Sequence, residues 1–525
     1  MRAFIWLVLG VLIPASGLAR GVHDPSQVWP GYREAQSAQP LVYHLLGSTD
    51  FDGGQRRSFI LQSQQWPHAT GSASWRHRVE LLQPDVPQPG PALLVINNGV
   101  IHGSDGKPPR APDDLPMDVL ETLVRTLGMA VVSIADVPSQ AISLPGDGRL
   151  RVEDDLAAAT WRRYLDEPAT HAHWPLHVPM AEAAIRALDL ADQELPADLR
   201  PSYIATGASK RAWASWLLPL VDERISHLAP FAIDMHWQAL LPHIRQIHAG
   251  RWPIALRPYF EHGITGMIGD DAFAGLMEIV DPYTYLVGPL ATRLALPKLL
   301  VNASGDDFFP PDAARFYLDA LPGQTTLRVA PNSDHGGIRR FVLESLAPAL
   351  HRWRRGGALP QVQAHWQADQ GVLQVRGLES ERPQRAVMWQ AHNARGRDFR
   401  HACGIDYVAR PLSLGDSQVL EVGLEVPAQG WTATFVELHY ADGLVATTPV
   451  QVLPQDRFPL QPPAEGAGAC RLVPEVSLSG PATEPATEPA AGSRGARKAG
   501  EAAWAARSVL ARSRSVAAGP PSPGG

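Results

Sequence analysis

The stretch that most restricts how this chain can fold is residues 203–213, where the apolar run Tyr203-Ile204-Ala205-Thr206 meets Gly207-Ala208-Ser209 and then Lys210-Arg211-Ala212-Trp213. The run before the serine is β-prone and is fed by Pro201. After the serine, Trp213, Trp216, Leu217 and Leu220 fall at i, i+3, i+4 and i+7, which lines one face of a helix with apolar side chains. Strand, sharp turn and helix together put the Ser209 hydroxyl at the tip of the turn with a helix N-terminus beneath it, the geometry of a nucleophile elbow. The G-x-S-x-G form of that turn would carry glycine where Arg211 stands. A Gly-x-Ser turn also serves simply to cap the helix that follows.

The surrounding pattern says what sheet this turn belongs to. Short, continuously apolar runs separated by helical segments read as strands buried on both faces of a mostly parallel sheet. Such runs lie at 92–99, 129–134, 203–206, 225–234 and 297–305, with helices expected over 119–127, 153–165 and 180–190. Two antiparallel strands, 59–66 and 75–82, precede them after a polar, extended arm at 20–40. Residues 235–290, with Trp237, Trp252, Tyr259, Phe260, Tyr283 and Tyr285, form an insertion that reads equally as a lid and as extra helices packed on the core. From 358 to 455 the texture turns to alternating runs with frequent turns, the pattern of a small all-β, immunoglobulin-like domain. The expected fold is therefore α/β, an α/β-hydrolase domain over 20–357 carrying a helical lid-like insertion and followed by that β-sandwich. Residues 456–525, rich in Pro, Ala, Gly and Ser, make a low-complexity tail expected to be disordered.

Composition narrows the class of partner. The chain has 525 residues, 45% hydrophobic and 19% charged, and its net charge of −7 points to neither nucleic acid nor an anionic membrane. Arg2, an apolar run over 3–13 and the small residues Gly17 and Ala19 make residues 1–19 a signal peptide with cleavage near Ala19, and hence an exported protein, periplasmic or secreted. That run is too short for a membrane span, and no other stretch approaches the ~18 apolar residues a transmembrane helix needs. The two cysteines, Cys403 and Cys470, allow one bridge, which would tie the end of the chain back to the domain that holds Cys403.

A serine hydroxyl is a weak nucleophile, so acyl transfer requires a histidine to take its proton and a carboxylate to orient that histidine. On an α/β-hydrolase sheet these follow the nucleophile in the order acid, histidine. Gly305-Asp306-Asp307-Phe308-Phe309-Pro310-Pro311 comes directly after the run ending at Ala303, and Asn332-Ser333-Asp334-His335-Gly336 after a helix expected at 316–321 and a strand at 326–329. Asp306 is the preferred acid because the Asp-x-x-apolar-Pro pattern starts there; Asp307 and Asp234 are alternatives. The oxyanion hole is expected from the backbone N–H of Lys210 and one from the loop holding Asn98 and Gly99. Lys210 and Arg211 place two cations at a helix N-terminus, which the helix dipole disfavours. Arg211 is therefore expected to pair with Asp234 or with one of Glu153, Asp154 and Asp155. That acidic run would also suit a cationic substrate group, although acids in a helix's first turn are ordinary. There is no His-Glu-x-x-His, Cys-x-x-Cys or glycine-rich phosphate loop, so neither metal nor cofactor is expected.

These residues resemble the PhoPQ-activated pathogenicity-related proteins, a family that also resembles a secreted autocrine proliferation repressor. The likeness runs from about residue 40 to 455. It rests on Leu61-Gln62-Ser63-Gln64-Gln65-Trp66, Trp75-Arg76-His77, Thr206-Gly207-Ala208-Ser209-Lys210-Arg211, Asp281-Pro282-Tyr283, Gly305-Asp306-Asp307-Phe308-Phe309, Pro331-Asn332 with His335, and Trp389-Gln390-Ala391 followed by Arg397-Asp398-Phe399-Arg400. The Ser-Lys-Arg elbow is its most specific element, and the resemblance implies that arginine is normal at position 211. It also implies an α/β-hydrolase domain carrying Ser209, Asp306 and His335, then a β-domain, in an exported protein. The expectation is a serine hydrolase without cofactor that acts on a peptide or small ester through an acyl-enzyme, the amide slightly preferred. The rival is a secreted binding or signalling protein that keeps the fold with little or no catalysis.

Overall fold

The computed structural model describes residues 25–474 apart from 67–73, 102–107, 139–140, 379–380 and 465. The expected signal peptide and the tail beyond 474 lie outside the described residues.

A nine-stranded sheet organises the molecule. Strands β1 (Val42–Phe51), β2 (Gly54–Gln65) and β3 (Ser74–Pro84) form an antiparallel meander. The parallel part follows: β4 (Ala92–Ile96), β5 (Val131–Ile134), β6 (Tyr203–Ala208), β7 (Ile225–Phe231), β8 (Lys298–Ala303) and β9 (Thr325–Ala330). Their spatial order is β1-β2-β3-β5-β4-β6-β7-β8-β9, so β4 and β6 lie side by side at the middle and Ile96 pairs with Gly207. Alternate residues of β4 feed opposite layers of core: Ala92, Leu94 and Ile96 pack on one face, Leu93 and Val95 on the other. Burial on both faces is what the uninterrupted apolar runs required.

The helices are α1 (Val28–Ser37), α2 (Met117–Leu127), α3 (Glu153–Asp166), α4 (His177–Glu194), α5 (Lys210–Leu217), α6 (Trp237–Ile247), α7 (Arg257–Glu261), α8 (Asp271–Val280) and α9 (Val342–Arg354). Two sequence expectations are corrected here. Within the arm at 20–40, Val28–Ser37 is helical and not extended: Val28, Trp29 and Tyr32 share one buried helical face, and the Trp29 indole donates to the Ile279 carbonyl at 2.8 Å. The helix expected at 316–321 is instead two short 3-10 turns, Ala313–Phe316 and Leu318–Ala320. The 235–290 insertion contributes α6 to α8, and its Trp237, Trp252, Tyr259 and Tyr285 are buried. Its aromatic rings close on the elbow helix, with Trp213 and Trp237 centroids 4.7 Å apart and the Trp213 indole donating to the Val280 carbonyl.

The C-terminal strands are β10 (Gln363–Gln367), β11 (Val372–Arg376), β12 (Arg385–Asn393), β13 (Val408–Leu412), β14 (Leu420–Gly423), β15 (Trp431–His439), β16 (Val445–Thr447) and β17 (Gln451–Leu453). They form a three-stranded sheet, β10-β11-β14, and a five-stranded one, β13-β12-β15-β16 with β17 also on β15, all antiparallel. The described residues belong to one compact unit, and the Val329 N–H of β9 donates to Thr447 Oγ1 of β16 at 3.0 Å. Residues 470–473, in the stretch read from composition as the start of the tail, are anchored to the body. Cys470 is joined to Cys403 by a disulfide, Cys470, Leu472 and Val473 are buried, and Val473 N–H donates to the Trp252 carbonyl at 2.8 Å. A covalent link and backbone pairing anchor a segment too poor in apolar residues to fold alone.

Candidate active site

Ser209 stands between β6 and α5 with φ 59° and ψ −130°, a backbone conformation costly for a residue with a side chain. Hydrogen bonds on both sides hold it there: its N–H donates to Phe231 O and its carbonyl accepts from Trp213 N–H, each at 2.9 Å. The turn is tight enough to require glycine at one position. A Cβ on Gly207 would lie 2.9 Å from the Arg211 carbonyl carbon and 3.0 Å from Ile96 O. Gly207 thus lets the start of α5 close on β4, and position 211 accommodates a full side chain.

His335 Nε2 is 2.9 Å from Ser209 Oγ, and its Nδ1 is 2.8 Å from Asp306 Oδ2 and 3.0 Å from Oδ1. The three groups come from loops after β6, β8 and β9, which leave the same edge of the parallel sheet. With Nδ1–H donating to the carboxylate, Nε2 is the ring nitrogen left to accept a hydrogen bond from the Ser209 hydroxyl. Asp306 Oδ1 also accepts the N–H groups of Phe308 at 2.8 Å and Phe309 at 3.2 Å, which fix the carboxylate. Gly305 N–H donates to Ser333 O at 2.9 Å, tying the acid loop to the histidine loop. Burial works against charge on His335, but the charge and hydrogen bond of Asp306 outweigh it and raise its pKa above the usual value.

The two alternative acids do not meet the histidine. Asp307 has a buried Oδ1 without a hydrogen-bond partner among the described residues, and burial with the neighbouring Asp306 and Asp334 charges pushes its pKa up to about 6. Asp234 accepts from Tyr317 Oη at 2.6 Å and Asn302 Nδ2 at 2.9 Å. Burial raises Asp234 to about 7, the Asp306 charge adding to it against those two hydrogen bonds.

Arg211 is buried, as its pairing required, but its partners differ in part from those expected. Its Nη2 meets Glu153 Oε1 at 2.7 Å, its Nε donates to the Val137 carbonyl at 2.5 Å, and its Nη1 is 3.4 Å from Asp114 Oδ2. Asp234 takes no part in this network, being held by Tyr317 and Asn302, and Asp155 is engaged by Arg151 at 2.8 Å. Lys210 Nζ lies 3.0 Å from Glu153 and 3.3 Å from Asp154. Burial opposes both cations; Asp154 and Glu153 for Lys210, and Glu153 and Asp114 for Arg211, more than offset it. Glu153 and Asp154 are therefore engaged by cations of the elbow helix. Sequence reasoning missed Asp114 and the Val137 carbonyl. The one signal for them was indirect, since a buried guanidinium demands more acceptors than a single carboxylate supplies.

In the loop after β4, Asn98 and Gly99 sit beside the elbow strand. The Asn98 N–H is occupied, donating to Asn97 Oδ1 at 3.1 Å. The Gly99 N–H has no hydrogen-bond partner among the described residues, and at φ 121° this is a position for glycine. Lys210 supplies the first N–H of α5, which has no intrahelical acceptor. Among the described residues no group of three or more His, Cys, Asp or Glu side chains could hold a metal ion, and no helix is long and apolar enough to cross a membrane.

A mixed sheet whose central parallel strand ends in a strained serine turn, with a carboxylate and a histidine on later loops of the same edge, defines an α/β-hydrolase fold. The chain belongs to the PhoPQ-activated pathogenicity-related protein family, whose sequence profile matches residues 30–400. It is also similar to autocrine proliferation repressor protein A of Dictyostelium discoideum, 26% identical over 413 residues that span 73% of this chain and 78% of that one. Among solved structures it is similar to an acetyl xylan esterase from Paenibacillus sp. R4, at 16% identity and a TM-score of 0.43 over 64% of this chain and 95% of that one. A glucuronoyl esterase from Solibacter usitatus is similar at 13% identity and a TM-score of 0.38, over 62% of this chain and 91% of that one.

Proposed function

We infer that this chain is an exported serine hydrolase that cleaves an ester or an amide through an acyl-enzyme. The observation that carries the reading is the continuous hydrogen-bonded chain from Ser209 Oγ through His335 to Asp306 at the tip of a strained turn. Ser209 Oγ attacks the substrate carbonyl carbon while His335 Nε2 takes its proton, and Asp306 holds the ring tautomer and stabilises the imidazolium. The N–H groups of Lys210 and Gly99 receive the developing oxyanion; Asn98, whose N–H is occupied, positions that loop. Collapse of the intermediate breaks the carbonyl bond to the leaving alcohol or amine, which takes the proton from His335. Water, deprotonated by the same nitrogen, then releases the acid and restores Ser209. No cofactor enters this sequence.

Between the two bonds the amide is slightly preferred, by analogy with peptidases that share a β-domain and a lid-like insertion. Export is supported by the leader-like residues 1–19 and by the Cys403–Cys470 bridge, since disulfides persist in oxidising compartments. The similarity to a proliferation repressor favours one rival, a secreted binding or signalling protein with little or no catalysis. Labelling with a fluorophosphonate probe separates the two. The hydrolase reading expects stoichiometric labelling that disappears in Ser209→Ala; a folded protein that takes up no Ser209-dependent label would be the binding protein.

A further inference from the structure

We propose that Asp114 is a positioning residue that sets the nucleophile turn, the oxyanion loop and the histidine loop in register, an assignment that rests on the serine hydrolase reading. Asp114 is 3% exposed, yet it lies just before α2 and touches none of the three reacting groups. Its Oδ1 accepts from Arg339 Nε at 2.9 Å, lies 2.8 Å from Arg339 Nη2, and accepts from Asn98 Nδ2 at 3.1 Å. Its Oδ2 faces Arg211 Nη1 at 3.4 Å, an ion pair and not a close hydrogen bond. Arg211 is two residues after the nucleophile. Arg339 is four residues after His335, in the 3-10 turn Gly337–Phe341. Asn98 adjoins Gly99, the proposed oxyanion donor. One carboxylate therefore reaches all three loops.

The link to the oxyanion loop is doubled. Asn98 Oδ1 accepts the N–H of Asp113 at 2.7 Å and of Asp114 at 3.2 Å, and its Nδ2 donates to both of their carboxylates. The Asn98 amide is thereby fully used in holding residues 97–99 against 113–114. Arg339 Nη1 reaches Asp113 as well, at 3.3 Å. A buried carboxylate between two guanidiniums and an amide adds little net stability, because desolvation offsets most of the attraction. What it does fix is distance. An oxyanion donor has to stand about 2.7–3.1 Å from the developing charge, and a displacement of ~1 Å can cost on the order of 100-fold in rate.

The test is the saturation kinetics of fluorophosphonate labelling, read as the maximal rate per reactive site and not as the fraction labelled. Asp114→Asn keeps the shape and the Oδ1 acceptor but loses the charge and turns an N–H group on Arg211. The expected result is a maximal rate lower by roughly 10- to 100-fold, with the half-saturating probe concentration nearly unchanged, the pattern of an interaction used in the reacting state. Arg339→Ala removes a side chain that is 41% exposed and cuts the histidine-loop link alone. It should slow the same parameter by a smaller factor, be partly rescued by Arg339→Lys, and be non-additive with Asp114→Asn. Should Asp114→Asn fail to fold, Arg339→Ala with its lysine rescue carries the test. A wild type that labels at Ser209 while the variants keep its rate per site, or act additively, overturns the role of Asp114 alone. A wild type that does not label overturns both this assignment and the hydrolase reading.

Discussion

The nucleophile turn and the acid loop bring their groups to one hydrogen-bonded chain, but they are held by different kinds of force from different distances in sequence. The turn at Ser209, beyond its own two backbone hydrogen bonds, is braced by charge: Lys210 and Arg211 are buried against Glu153, Asp154 and Asp114, and Gly207 lets the helix start close on β4. Among the described residues, the acid loop has no ion pair at Asp306 beyond that with His335. It is held by backbone, from Phe308 and Phe309 N–H groups within the loop and from a segment almost a hundred residues later, where His401 N–H donates to Gly305 O at 3.0 Å. That later segment is itself fastened by Arg400, which donates to carbonyls of Ala469, Cys470 and Arg471, and by the bridge from Cys403 to Cys470. One half of the site is an electrostatic knot near Ser209; the other is a relay of hydrogen bonds and one disulfide that ends at residues 469–471. Variants that strike each half should therefore fail in different ways.

The largest effect is expected at the knot. Arg211→Ala removes the cation that Glu153 and Asp114 share and the donor to the Val137 carbonyl, leaving Glu153 to Lys210 and Asp114 to Arg339; this should cost about 3–5 kcal/mol of stability, the range for a broken buried pair. Urea unfolding checks this, and a loss below ~1 kcal/mol would show that the knot is relaxed by solvent. Next comes the far end of the relay. Replacing Cys403 and Cys470 by serine opens a link across 67 residues and should cost about 2–4 kcal/mol. In the same variant the labelling rate of Ser209 should fall, because the segment bracing Gly305 loosens; an unchanged rate would detach the relay from the site. Gly305→Ala should cost a smaller ~1–3 kcal/mol, since its Cβ would meet His401 N at 2.6 Å and the contact must open.

The smallest effect is on pH dependence. Because His335 is raised above its ordinary value by Asp306, labelling should rise with pH through a midpoint above ~6.5 as the ring loses its proton. Asp306→Asn should move that midpoint down as well as slow the reaction. The sign for stability is opposite. A histidine whose folded pKa is raised contributes stability that is fully present below its unfolded value and lost as pH rises through the folded one. The protein should therefore lose this contribution over the range where activity appears, and a denaturation series against pH, wild type beside His335→Gln, would show it.

How much of this was legible in the sequence follows the same division. Ser209, Asp306 and His335 were readable because each lies just after a strand, so that local pattern and chain order place them on one edge. Asp306 was preferred to Asp307 because the Asp-x-x-apolar-Pro pattern resembles the acid loop of such hydrolases, with Asp307 left open, and in the fold it is Asp306 whose carboxylate meets His335. Arg211 announced that it needed a carboxylate, and Glu153 was among those named. Asp114 was not, because it is joined to Arg211 only by tertiary packing and reads in sequence as an acid ahead of a helix. Asn98 was named as an oxyanion donor, yet its N–H is occupied by its neighbour Asn97, a local competition that no spacing rule reveals. The anchoring of residues 456–474 was hidden for a further reason. Its composition is that of a disordered tail, and it is held by one disulfide, by carbonyls offered to Arg400 and by backbone pairing with the segment at 252–254. The arm at 20–40 hid its helix because Val28, Trp29 and Tyr32 are too few to set a period by themselves.

The central claim is that Ser209 forms an acyl-enzyme, and turnover of p-nitrophenyl acetate with rapid acid quench and peptide mass analysis tests it most directly. The account predicts a burst of nitrophenolate equal to the enzyme present and an acetyl group on the peptide that holds Ser209, both lost in Ser209→Ala. Steady release without a burst, no acetylated Ser209 peptide, and the same rate in Ser209→Ala would contradict it.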